Sequence, residues 1–142
     1  MENMIKAIAA IPGALAAPHK PTKETLDSVE SELHFKFGRM LRRYLEEFGL
    51  IMFCGVEFLG VTENLKDRSG LVKTTKFLRQ DYPSLDRFVV IENLDEGMYV
   101  LCDENDNVYR FYEGEVSAPE RIDVNVLQYI LSRGQESAQK QR

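Results

Sequence analysis

The sequence has no tryptophan, only two histidines and only two cysteines, and it is short of positive charge: 18 Lys and Arg stand against 23 Asp and Glu, a formal net charge of -5. Sequence-independent nucleic-acid binding needs a surplus of cations against phosphate, so nucleic acid is not an expected partner. An acidic balance suits a basic protein partner instead, because opposite potentials speed encounter and penalise wrong partners. His19 and His34 lack ligand spacing to Cys54 and Cys102, and neither cysteine sits in a CxxC pair, so no zinc site can be read. Both cysteines fall in apolar segments; reduced, buried thiols are the expectation and a disulfide between them is the alternative. Long apolar runs are missing too. The small and apolar stretch over residues 7–17 has 11 positions and is interrupted by Pro12-Gly13, too short to span a bilayer, so no membrane partner is expected. Ala14-Leu15-Ala16 resembles a signal-peptidase site, but Glu2 opposes Lys6 in the would-be basic region. Residues 1–20 are therefore expected to form an N-terminal segment with a short packing helix, and the location to be cytoplasmic.

Catalytic signatures are equally scarce. There is no glycine-rich phosphate loop, GxSxG elbow, HExxH or EF-hand loop. Residues 103–107 are acid-rich but lack the length and terminal glutamate of a calcium loop. Asp95 and Glu96 are adjacent in sequence, so they point different ways rather than flanking one bond. A non-catalytic protein with no cofactor and no metal is expected.

What is present fits one ordinary domain: 142 residues, 44% hydrophobic and 29% charged, long enough to bury roughly two thirds of the unfolded surface. Pro18-His19-Lys20-Pro21 is a polar break, and Thr22 is a suitable N-cap for a helix whose apolar face is Leu26, Val29 and Leu33. A second helix carries Met40, Leu41, Tyr44, Leu45 and Phe48, with Gly49 at its end. Lys36, Arg39, Arg42 and Arg43 around its start read as a solvated face with i, i+4 partners. The period then changes to strand over Val56–Val61, returns to helix over Leu71, Thr75, Leu78 and Tyr82, and gives three strand-like runs, Arg87–Glu92, Met98–Asp103 and Val108–Tyr112. Asp123 is placed to cap a last helix that Gly134 ends, leaving 135–142 as a polar tail. Short loops between strands give antiparallel pairing, so the expected class is α+β, a mainly antiparallel sheet of four or more strands with helices packed on one side.

Several elements in this order resemble a known family. A glutamate-bearing helix ending in aromatics (Leu26–Phe37) leads to a Tyr-x3-Phe-Gly helix end (Tyr44–Gly49) and a Gly-x4-Gly strand (Gly55–Gly60). A short helix, the run Phe88-Val89-Val90-Ile91-Glu92-Asn93 and an aspartate, Asp103, closing the next strand complete the set. The pattern is similar to the SUKH superfamily, which includes fungal cell-wall assembly regulators and bacterial immunity proteins. It departs at Phe37-Gly38, where the family usually has Leu-Pro. The resemblance covers about Pro21–Leu131 and marks 21–134 as a SUKH-like domain. It implies a protein that works by binding: an immunity protein holding a cognate polymorphic toxin inactive, the toxin being a basic nuclease domain, or, alternatively, an intracellular regulatory or scaffold domain.

The residues expected to carry that binding lie in the hairpin region. Acids outnumber bases there and sit at turns, and they are expected to line one sheet edge that fills a basic cleft as a substrate would. Aromatics alternate with them. Tyr beside Arg is the usual makeup of an interface hot spot, and Tyr109 and Phe111 should face one side while Val108, Arg110 and Tyr112 face the other. The candidate partner-binding set is Asp95, Glu96, Asp103, Glu104, Asp106, Tyr109, Arg110 and Tyr112. As turn acids these side chains also have an ordinary solvated role. Nothing in the residues sets an oligomeric state.

Overall fold

Helices and strands follow from capping, apolar spacing and close backbone approach in a computed structural model that describes residues 1–63, 70–114 and 118–140. Helix α1 (Glu2–Ala9) buries Ile5 and Ile8. Strand β1 (Leu15–Ala16) follows it. Helix α2 (Lys23–Leu33) starts at Thr22, whose hydroxyl accepts the Thr25 amide at 3.2 Å, and buries Leu26, Val29 and Leu33 as its spacing requires. Helix α3 (Arg39–Phe48) buries Leu41, Tyr44, Leu45 and Phe48. Two of the four basic residues around its start are paired: Arg42 with Asp27 and Glu30 at 3.0 and 3.2 Å, Arg43 with Glu2 at 3.0 Å.

Past Gly49 the chain forms a hairpin of β2 (Ile51–Phe53) and β3 (Val56–Phe58), and β1 pairs with β2 to give an antiparallel sheet in the order β1-β2-β3. The expected single strand over Val56–Val61 is thus only the second half of a hairpin; a three-residue run such as Ile-Met-Phe is too short to show a period. The chain then passes directly under the end of α3. A Cβ at Gly60 would lie 1.7 Å from the Gly49 carbonyl oxygen, so only glycine fits this crossing, and the Val61 amide donates to that same carbonyl at 2.9 Å.

Helix α4 (Gly70–Asp81) and a short 3-10 turn (Pro83–Arg87) lead into the larger sheet. The expected loop over residues 64–70 lies outside the described residues except at Gly70, which opens α4. The larger sheet is a meander of β4 (Val89–Asn93), β5 (Met98–Cys102), β6 (Asn107–Tyr112) and β7 (Glu120–Asn125), every pair antiparallel. Helix α5 (Val126–Gln139) closes the domain. Register places Val89, Glu92, Val100, Cys102, Val108 and Arg110 on one face, where Val100, Cys102 and Val108 join α5's Leu127 and Ile130 in the main core. Val90, Tyr99, Leu101 and Phe111 form a second buried cluster with Leu78 and Leu85, so the end of α4 and the 3-10 turn fold over the other face. Glu92 is buried under α5, bonded to the Tyr129 hydroxyl at 2.8 Å and to Arg133 at 2.7 Å; burial, then the Glu92 charge, pushes the Tyr129 phenol well above its ordinary pKa.

The α+β class and the antiparallel pairing agree with the sequence, which left the strand order open, while the C-terminal third differs in detail. Residues 120–122, assigned to no element from the sequence, and Asp123, expected to cap the last helix, lie within β7. Asn125 caps α5 instead, in a reciprocal pair with Gln128. Gly134 is not a helix end: it is buried within α5, where a Cβ would meet Ile11 and Phe53 at 2.7 and 2.8 Å. The helix therefore runs on to Gln139. Both thiols are free; Cys102 is buried as expected, but Cys54 is exposed at the β2–β3 turn.

Candidate partner-binding surface

Successive hairpins of a meander lie at opposite ends of the sheet, and this divides the acidic residues. Asp95 and Glu96 occupy the β4–β5 turn, both exposed and both in the left-handed region (φ 66° and 55°). They share their end with the β6–β7 turn, where the Glu113 amide donates to the Gly97 carbonyl at 2.8 Å. Asp103, Glu104 and Asp106 lie in the β5–β6 turn at the other end, a strand's length of about 17 Å away. The expectation of one acidic edge is thereby corrected: antiparallel strands reverse direction at each turn, so neighbouring turns cannot share an edge. Glu115 lies outside the described residues. Arg110 and Tyr112, both half-buried, point to the α5 side of the sheet, opposite Val100 and Met98; Tyr109 and Phe111 point to the other.

Within the β5–β6 turn the three acids do different work. The Asp103 carboxylate accepts the amides of Asn105 and Asn107, each at 2.9 Å, the Asn107 side chain at 3.2 Å and the Tyr109 hydroxyl at 3.0 Å. Its oxygens are saturated by its own turn. Asp106 is buried, with φ 65°. Its carboxylate accepts the Met40 and Leu41 amides at 3.0 and 2.9 Å, and its carbonyl accepts the Val126 amide at 3.0 Å. It thus caps α3 from 65 residues away, because the N-cap residue itself, Gly38, has no side chain to do so. A Cβ on Gly38 would lie 2.4 Å from an Asp106 carboxylate oxygen, which explains glycine at a helix start. Glu104 is exposed; one oxygen accepts the Lys36 amide at 2.6 Å.

Asp103, Glu104 and Asn105 of this turn, with Tyr109 of β6, form one wall of a cleft of about 440 Å³. A second wall is the end of α2, where His34 is exposed and takes the left-handed C-cap conformation (φ 50°). The third is Asp86, Arg87 and Phe88 from the 3-10 turn. The Phe88 and Tyr109 rings meet edge to face at 4.8 Å; burial and the Asp103 hydrogen bond raise the Tyr109 phenol above its ordinary pKa. Past Glu104 the cleft continues into a more open depression beside Asp27 and Glu30. The walls are joined by Arg79, whose guanidinium donates to the carbonyls of Leu33 at 2.6 Å and of Asp86 and Phe88 at 3.1 Å each. Burial lowers its pKa, and the Asp86 charge partly restores it. His34, Asp86, Arg87 and Phe88 were not among the sequence candidates. Their signal is spatial: Asp86, Arg87 and Phe88 lead into β4 and His34 ends α2, and only the fold brings them against the β5–β6 turn.

Among the described residues, no cluster of three or more His, Cys, Asp or Glu is placed to hold a metal ion, and no helix is long and apolar enough to cross a membrane. Compared with known proteins, residues 1–131 match the family described as SUKH_5: SMI1-KNR4 cell-wall. No curated protein matches the chain.

Proposed function

This chain belongs to the SUKH family, and we propose that within it the protein acts as an immunity protein, binding a cognate polymorphic toxin in the cytoplasm and holding it inactive without catalysis. SUKH proteins include toxin immunity proteins, and the family is generally non-catalytic. The observation that carries the reading is the cleft at the β5–β6 end: a preformed concavity with exposed Asp86 and Glu104 on different walls and two aromatic residues in its lining. On a chain of net charge -5, such a surface suits the basic cleft of a nuclease, which must attract phosphate. Asp95, Glu96, Arg110 and Tyr112 remain candidates for a second contact, at the other end and on the other face. The test is capture of partners from the native lysate on tagged full-length protein, followed by co-expression. A stoichiometric partner whose C-terminal domain kills cells unless this protein is present is the expected result. Retention of cell-envelope machinery alone would overturn it.

The words "cell-wall" in the matching family's description favour a second reading, an intracellular regulatory scaffold. The same capture experiment separates the two, because a scaffold protects no cell from a toxin.

A further inference from the structure

We propose that the cleft between the end of α2, the 3-10 turn and the β5–β6 turn is a slot for one arginine side chain of the protein partner; this rests on reading the chain as a partner-binding protein. The acceptors come first. Among the described residues the Asp86 carboxylate meets no hydrogen-bond donor, and Glu104 uses only one oxygen, on the Lys36 amide. They stand on different walls, so a cation between them is held from two sides. The floor comes second. Phe88 and Tyr109 both line the cleft and sit edge to face at 4.8 Å, and a guanidinium stacks on an aromatic face while its fork binds carboxylates. A lysine ammonium is a compact, strongly hydrated charge and gains less from either feature.

Other occupants fit less well. Two unspent carboxylates are too few for a calcium or zinc shell, because Asp103 is fully used by its own turn. An anion would meet the carboxylates of Asp86 and Glu104, with Arg87 beside them and Arg79 already spent on three carbonyls. The walls are also set in advance: Arg79 ties two of them through three carbonyls, and Glu104 ties the third to the chain after α2. A slot that is already formed loses little ordering entropy on binding. Arg87 lines the cleft and makes no ion pair among the described residues; with Arg79, whose charge Asp86 already offsets, it is an internal competitor for the Asp86 carboxylate.

The probe is a short blocked peptide containing a single arginine, titrated into the full-length protein and followed by amide NMR, with the lysine peptide alongside. Saturable shifts are expected at Phe88, Glu104 and Asn105, with the Asp95–Glu96 turn unmoved. Arginine should bind several-fold more tightly than lysine. Glu104→Gln keeps an oxygen for the Lys36 amide and removes only charge; together with Asp86→Asn it should weaken the arginine peptide by about tenfold, the equivalent of one charge-assisted contact. Arg87→Ala should tighten it. Equal binding of the lysine peptide, shifts centred on Asp95 and Glu96, or no shifts at all would each overturn the slot. Protection from a toxin is scored separately. A chain that takes the arginine peptide but shields no cell keeps the slot and loses the immunity reading, and the reverse result loses only the slot.

Discussion

Asp106 reaches from the β5–β6 turn to the first amides of α3, while Asp103, three residues earlier, bonds only within its own turn. Both are turn aspartates in an acid-rich segment, and nothing in their neighbours distinguishes them. The difference lies in Gly38, whose missing side chain leaves room for the Asp106 carboxylate against the α3 N-terminus. Replacing Asp106 with alanine strands the buried Met40 and Leu41 amides and should cost about 2 kcal/mol, in line with loss of a helix cap; chemical denaturation measures it. The folded fraction of that variant should still bind partner, because the carboxylate is spent inward. A solvated or partner-facing Asp106 would give the opposite pattern, with stability kept and binding lost. The departure from Leu-Pro at Phe37-Gly38 was visible in the sequence, but its compensation by a residue 65 positions away was not.

At the scale of elements, α2 is anchored at its start by Glu63, which accepts the Thr22 amide at 2.8 Å and the Thr25 hydroxyl at 2.6 Å. These bonds, led by that of Thr25, hold the Glu63 carboxyl below the ordinary carboxylate range. A depressed folded pKa means that folding favours the charged form. The contribution is complete above the unfolded value, near pH 4.3, and fades as pH falls through the lower folded one. Unfolding midpoints of wild type and Glu63→Gln, measured from pH 7 down to pH 3, should therefore converge toward the acid end; a constant gap would assign the difference to shape rather than charge. Helices with long apolar faces were readable from spacing alone, as α2 and α3 show. Short pieces were not: β1 and β2 are too brief for a period, and β7, Glu-Arg-Ile-Asp-Val-Asn, is half charged. The end of α5 escaped because Gly134 reads as a stop, although here it makes room for Ile11 and Phe53.

For the whole molecule, the meander gives the sheet two acidic ends with different surroundings. One is an open pair of turns, Asp95 and Glu96 with Glu113; the other is the walled cleft. Rim charge acts on association rate and its salt dependence, whereas a seated charge pair acts on dissociation. Asp86→Lys with Glu104→Lys should slow association with the proposed protein partner and raise its dissociation rate, lowering affinity by more than about tenfold. Asp95→Lys with Glu96→Lys should change the association rate alone. Surface-plasmon measurements at two salt concentrations separate these outcomes, and equal effects from both pairs would move the contact away from the cleft. The acidic turns were legible in the sequence. Their division between two ends follows from counting strands, and the cleft became visible only once α2, the 3-10 turn and the hairpin met in space.

The outer side of β4 is occupied: the Leu59 amide donates to the Ile91 carbonyl at 2.8 Å, and the Val90 amide donates to the Thr75 hydroxyl at 3.0 Å. The larger sheet is thus sealed along one side. In this sheet strand-to-strand aggregation, the hazard of any open antiparallel sheet, is left with the β7 border. There Glu120, Arg121 and Asp123 put charge on three of the six positions, so the same residues that hid this strand from a hydrophobic reading guard the border along which this sheet could pair with a copy.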